Sequence, residues 1–466
     1  MRPTYKIHDR MHTIKPFEIA HNGSLGLNLV LSESGRSIPR RLIVGMLFLI
    51  CVTRSLLAQE TNALSKTAQS ERVSQPLKHV TAERIQQMPE KELIAWMTYL
   101  SKSNAHILNE RNILAGEVDR AGLSASRPAP NNSKEFEFDS KVATAWFTTA
   151  ETAKLADIVL SYQTPTGGWS KAIDYSRGAR TEGTHWTSQS GLGWHYCGTL
   201  DNRSTTEQIR FLAHVYSAQP QDRFQDGAIR GIQWLLGAQY PNGGWPQVYP
   251  LEPGYHEAIT LNDNAMLHAI QVLQEVGAGQ SPYTWIDAAL RNKAVIAATK
   301  GIDCLLRAQV VVDGKLSVWC AQHDPISLEP VAARLKEPPS LSGGESAELV
   351  KFLFREAPDT PATRKAIDAA IAWFESHAIE GLRQVKNESG KTDYVLDDSS
   401  TEIRWARFYD LKTQKPIFAG GQDGVIYSSY GEMAKNNKVG YDYFTTRPRD
   451  LLTKELDRWK KRIKSN

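Results

Sequence analysis

IVLSYQTPTGGWSK, residues 158–171, and IQWLLGAQYPNGGWPQ, residues 232–247, follow one design, and LLRAQVVVDGKLSVWCAQ, residues 305–322, is a looser third copy. In each, an apolar helical run ends in a Gln, a Gly-containing turn follows, and a Trp closes it: Trp169, Trp245 and Trp319. These tryptophans stand roughly 75 residues apart, the period of a repeated supersecondary unit. Behind each turn a second helix opens on polar or acidic residues: TLDNRSTTEQIRFLAHVY from Thr199, ITLNDNAMLHAIQVLQEV from Ile259 and SGGESAELVKFLF from Ser342. Helix, Trp turn and acidic helix start, three times over, predict a mainly α fold. The arrangement expected is a ring of helical hairpins with its acidic starts all facing one end.

Composition sets the bounds around this body. At 466 residues the chain holds one large helical domain plus extensions, or two ordinary domains. Its net charge of +4 is unevenly placed. Residues 1–58 carry 8 Lys and Arg against 3 Asp and Glu, which leaves 47 of the 55 basic and 48 of the 51 acidic residues for the rest. A body so close to neutral does not point to nucleic acid, and any basic partner surface is local. Arg40 and Arg41 precede an apolar run from Leu42 to Val52, too short for a bilayer and suited to a signal-peptide core, with Ala58 before the expected cleavage. Residues 1–58 are therefore expected to be a signal peptide with a long N-terminal extension. The mature protein is expected to be secreted or periplasmic, with no membrane span, and monomeric. Cys197, Cys304 and Cys320 would remain after cleavage, an odd number that gives no disulfide framework.

Beyond the leader, residues 59–78 read as a polar linker and 79–140 as an ancillary helical segment, divided at Pro89 into a short and a longer helix. Residues 141–466 form the expected catalytic domain. Its last part, EIRWARFYDLKTQKPIFAGGQDGVIYSS, alternates apolar and polar residues between turn signals, which predicts a short β-hairpin before a basic C-terminal helix.

The Trp turns alone fix no chemistry. A Gln can bond to the open backbone groups at a helix end and a Trp can cover the joint, and terpene cyclases carry similar turns. The acidic starts say more. Asp201 and Asp263 read singly as helix caps. Read together, as corresponding residues of successive repeats, they bring two hard oxygen donors flanked by amides to one rim, a pattern that suits Ca²⁺. Arg334 and Lys336 add positive charge just before Pro338 and Pro339.

Six ordered blocks resemble the family-ten pectate lyases: YQTPTGGWSKAID, TLDNRSTTEQIRFLA, YPNGGWPQVYP, ITLNDNAM, VWCAQHDPISLEPVAARLKEPPSLSGGES and RWARFYDLKTQKPIFAGGQDGVIY. The resemblance runs from about Lys154 to Leu452. It implies an (α/α)₃ toroid and Ca²⁺-assisted β-elimination of α-1,4-linked polygalacturonate, leaving a 4,5-unsaturated sugar. Carried over by motif, it implies Asp201 and Asp263 as calcium ligands and Arg334 as the base. Lys171, Asn202, His323 and Arg407 become substrate contacts. A base role for an Arg, whose ordinary pKa lies above about 12, calls for cationic neighbours, and Lys171 and Lys336 are the candidates. The chain departs from its relatives at Asn264, where a second acid is common, and at Gln422-Asp423-Gly424, where Arg-Asp-Gly is usual. The other readings open to these residues are an inverting glycoside hydrolase using Asp201 and Asp263 as acid and base, and a uronate-binding protein without catalysis.

Overall fold

The three Gln–Gly–Trp turns share one hydrogen-bond pattern. Gln163 donates through Nε2 to the carbonyls of Gly167 (2.8 Å) and Gly227 (2.9 Å), and Gln239 to those of Gly243 and Ala297 (both 2.9 Å). Gln309 does the same to Ser317 (2.8 Å) and Ala366 (2.9 Å). One side-chain amide thus closes its own turn and ties it to a helix of the next hairpin. The tryptophans are fully buried, and each Nε1 donates back into the helix it follows: to Val159, Leu235 and Leu305 at 2.9, 2.8 and 2.7 Å. Gly167 and Gly243 adopt φ of 109° and 98°, and a Cβ at either would lie within 2.5 Å of a backbone carbonyl oxygen. Only glycine fits there.

The long helices are α1 (Glu90–Arg120), α2 (Ala150–Ser161), α3 (Thr206–Ala218), α4 (Asp222–Ala238), α5 (Ala265–Ala278), α6 (Ala288–Arg307), α7 (Glu345–Glu356) and α8 (Pro361–Ser376), and the turns join α2 to α3, α4 to α5 and α6 to α7. The computed structural model describes residues 78–465 except 133–134, 139–143, 189–196, 389 and 391. The chain divides into two compact units, 1–66 and 67–466, and all described residues belong to the second. The expected signal peptide and nearly all of the linker lie outside them. Helices α3 and α4, α5 and α6, and α7 and α8 pack as successive hairpins. Across hairpins α3 touches α5 and α5 touches α7, while α4 touches α6 and α6 touches α8, giving two rows. Apolar stripes create the rows: α5 buries Met266, Ile270 and Leu273, and α7 buries Leu349, Val350 and Leu353.

The segment 79–140 breaks at Pro89 as expected, into a single turn at Ala82–Ile85 and the long α1. It is fastened by aromatic packing, with Trp96 against Tyr240 (centroids 5.2 Å), and by a bond from the Tyr99 hydroxyl to the Ala238 carbonyl (3.0 Å). The C-terminal region holds more strand than the sequence predicts. Strands 408–409 and 416–419 form the expected hairpin, which 426–427 and 341–342 extend to four strands. A second sheet joins 444–445, 403–406 and 379–380, and a separate hairpin pairs 382–386 with 392–396. The three cysteines are buried and free. Among the described residues no helix is long and apolar enough to cross a membrane.

Candidate active site

Each acidic helix start is tied to the Trp turn before it. Thr199, Thr260 and Ser342 donate their backbone N–H groups to the carbonyls of Trp169, Trp245 and Trp319 at 3.0, 3.3 and 2.8 Å. After Thr-Leu the chain makes a single 3₁₀ turn, Asp201–Arg203 in one repeat and Asn262–Asn264 in the next. In that register Asp201 matches Asn262, and Asp263 matches Asn202. The two aspartates therefore do not occupy corresponding positions, as the sequence reading had it, but are offset by one residue. Asn202 and Asp263 are the matched pair, both with φ near 51°, a left-handed conformation that Asn and Asp tolerate best after Gly.

Neither aspartate caps a helix: no side-chain capping bond forms at either 3₁₀ turn or at the starts of α3 and α5. Asp201 instead accepts from Lys171 Nζ at 2.5 Å. Asp263 accepts from Asn262 Nδ2 at 2.9 Å and lies in a cleft of about 210 Å³ also lined by Glu135, Asn202, Glu345, Arg407 and Arg447. It is exposed to solvent at the cleft surface, with the cleft walls beside it. Loss of bulk water raises its pKa first, then the negative charges of Asp201 and Glu345, while Arg407 and Arg334 pull the other way. Glu135 is likewise raised, by burial and then by Glu137.

Arg407, in the link between strands 403–406 and 408–409, donates from Nη2 to Glu345 Oε1 (2.8 Å) and Asn262 Oδ1 (3.2 Å). Its guanidinium stands 4.3 Å from the centre of the Tyr441 ring. The Ser342 hydroxyl donates to the other Glu345 oxygen. A larger groove of about 1240 Å³ shares Glu345, Arg407 and Arg447 with the cleft and continues over Tyr441 and Arg404.

Arg334 lies beside this groove, gripped by Glu337 through two bonds, Nε to Oε2 (2.8 Å) and Nη2 to Oε1 (2.6 Å), with Nη2 also 2.5 Å from the Tyr441 hydroxyl. The hydrogen bond to Glu337 is the main cause of a pKa above the ordinary arginine value. This corrects the expectation of a cationic surround. Lys336 is near, and burial followed by Arg334 lowers its pKa, but Lys171 is spent on Asp201. His323 is a second correction. Its ring is fully buried, Nδ1 faces the Leu328 carbonyl (2.8 Å) and Nε2 the Cys320 N–H (3.2 Å), and burial lowers its pKa to about 4. It shapes its own turn and has no exposed surface to offer.

The fold thus brings together Lys171, Asp201, Asn202, Asp263, Arg334 and Arg407 and leaves His323 out. Sequence reasoning missed Glu345, Glu337, Tyr441, Arg447 and Glu135. SGGES, quoted as the third helix start, held the signal for Glu345.

The donors suit an oxygen-seeking cation, since all are carboxylates and amides. Their number falls short: among the described residues no three His, Cys, Asp or Glu side chains form a metal-holding group, because Asp201 is turned to Lys171 and Glu345 to Arg407. A ligand carboxylate would have to complete the set. The mutual repulsion felt by Asp263 is what a cation there would relieve.

Comparison with known proteins finds the family described as pectic acid lyase matching residues 163–452. The chain is similar to the structure of the family 10 polysaccharide lyase from Cellvibrio cellulosa, at 32% identity and a TM-score of 0.56 over 69% of this chain and 98% of that one. A mutant of that lyase in complex with trigalacturonic acid matches at 32% identity and a TM-score of 0.57, over 67% and 95%. No curated protein matches the chain.

Proposed function

The chain belongs to the pectic acid lyase family and is a polysaccharide lyase, and on that premise we propose that it cleaves α-1,4-linked polygalacturonate by Ca²⁺-assisted β-elimination. The observation that carries this reading is the convergence of Asp263, Glu345 and Arg407 on one cleft, with Asp201 and Arg334 near enough for their charges to act on Asp263. The successive hairpins, each tied to the turn before it by a Gln amide, support an (α/α)₃ toroid as the scaffold.

β-Elimination removes the C5 proton of a uronate and expels the C4 oxygen, so negative charge grows on the adjoining carboxylate. Asp201 and Asp263 would hold the cation with that carboxylate as a further ligand. The bound ion supplies electrostatic stabilisation of the growing charge. Arg407, which lines the cleft and is held there through Nη2 by Glu345 and Asn262, would bind a second carboxylate. Arg334, released by Glu337 and deprotonated by hydroxide from solvent at alkaline pH, takes the C5 proton as the C4–O bond breaks, and water protonates the departing C4 oxygen. Asn202 presents its amide at the cleft wall.

The test is polygalacturonate with added Ca²⁺, scored for the ultraviolet absorbance of the 4,5-unsaturated product with a chelator control. Product that forms with Ca²⁺ and stops on chelation supports the reading. A saturated product insensitive to chelator would replace it with hydrolysis. We also propose export after cleavage near Ala58, which N-terminal sequencing of secreted protein checks.

A further inference from the structure

Residues 447–464 carry 8 Lys and Arg against 3 Asp and Glu. This is the local basic surface that a near-neutral body leaves room for. Most of it lies beyond the family match, which ends at residue 452. The chain there is continuously helical: Arg447–Asp450, Leu451–Glu455 and then α9, Leu456–Ser465. Leu456, Trp459 and Ile463 face inward, and Trp459 stacks on Phe354 of α7 with centroids 5.2 Å apart. Lys454, Arg458 and Lys461, at i, i+4 and i+7, share the opposite, exposed face. Lys454 and Arg458 are both 72% exposed, and their pairs with Asp450 (3.9 Å) and Glu455 (3.2 Å) are of the weak surface kind.

We propose that this outer face is an accessory docking surface for an anionic polysaccharide, the polyuronate substrate itself, outside the catalytic cleft; the assignment of the polymer rests on the lyase reading. Two observations favour it. The segment begins at Arg447, which lines the cleft beside Arg407, and runs roughly 21 Å along the helix to Lys461, so it carries positive charge outward from the cleft. Its apolar face is already packed on Phe354. That leaves nothing to insert into a bilayer, which an interfacial helix requires, and only the charged stripe remains to meet a partner. A polymer with a carboxylate on every sugar presents the matching charge in a row.

The experiment uses the full chain and a variant with Lys454→Gln, Arg458→Gln and Lys461→Gln, none of which belongs to the cleft. The proposal expects weaker retardation of the variant in a polygalacturonate gel and a KM for long polymer raised about three- to ten-fold, as befits a few exposed charge contacts. The difference should fade at high salt, with kcat/KM on trigalacturonate unchanged. Retardation equal to wild type overturns the proposal, as does an equal loss on trimer and polymer. Sedimentation with phosphatidylserine vesicles tighter than binding to the polymer overturns it in favour of a lipid surface. If no unsaturated product forms from any substrate, the lyase reading fails, and gel retardation still decides the docking surface.

Discussion

Asp263 holds a left-handed backbone, feels two neighbouring carboxylates, and makes no capping bond. Its charge therefore costs stability, and Asp263→Asn, which keeps both shape and backbone tolerance, should leave the melting temperature unchanged or raised. Lyase activity should fall at least about 100-fold, the scale of losing one preorganised electrostatic partner of the transition state. Asp201→Asn should lose activity similarly but also stability, by about 1–3 kcal/mol, because the part-buried Lys171 ammonium would lose its ion pair with the carboxylate. Calorimetric melts beside kcat/KM on polygalacturonate separate the two effects, and wild-type turnover in both variants would remove them from the mechanism. For Arg334, the Glu337 carboxylate holds the proton on. Glu337→Gln should lower the Arg334 pKa and shift the alkaline limb of the pH–rate profile to lower pH. Arg334→Ala should cost about 10²–10⁴-fold in kcat, and Arg334→Lys should not restore it, since an ammonium cannot occupy the guanidinium's fork. An alkaline limb unmoved in Glu337→Gln would assign the titration to another group.

The loop that carries Arg334 is held at its other end by the first helical turn of the described chain. Arg84, just before α1, donates to Asp324 Oδ1 at 2.5 Å. The same oxygen accepts the backbone N–H groups of Ile326 (2.9 Å) and Ser327 (2.8 Å) and so fixes the turn. Nearby, Glu257 accepts from the Val80 N–H at 2.9 Å. The ancillary segment, which precedes the family match, is thus a brace for the loop that carries Arg334. Arg84→Gln should cost about 1–3 kcal/mol in urea unfolding, because the nearly inaccessible Asp324 carboxylate loses its charged partner. It should also lower kcat several-fold while KM holds. A stability loss with kcat unchanged would make the brace purely structural. Residues 382–396 show what a sequence element can hide. LRQVK and TDYVL pair as a hairpin, yet neither alternates apolar and polar residues, so the period of two that marks a strand is missing there.

At the scale of the whole molecule, buried neutral histidines couple folding to pH. His323 titrates near 4 in the folded chain against 6.5 unperturbed. Between those values the folded state binds fewer protons than the unfolded one, so the stability from the neutral ring is complete above pH 6.5 and is lost as pH falls toward 4. Melts of wild type and His323→Gln between pH 7 and 4 should show a shallower acid decline in the variant, and parallel curves would deny the coupling. The three repeats, the Trp turns, the break at Pro89, the absence of a disulfide framework and the aspartates as candidates were all readable from the chain alone. Period, helix punctuation and residue chemistry are local properties that survive without a partner. The partners themselves were decided in three dimensions. Nothing near Lys171 in sequence points to Asp201, or near Arg407 to Glu345, because those pairs close over 30 and 62 residues. Even Glu337, only three residues from Arg334, could not be known as a two-bond grip until Tyr441 arrived from the far end of the chain to fix the guanidinium. The burial that removes His323 from the site follows from the same cause, whereas the one-residue offset between Asp201 and Asp263 already stands in the sequence, TLDN against TLND. Which atoms face a cleft is settled by packing between repeats, and the repeat pattern fixes only the backbone that packing acts upon.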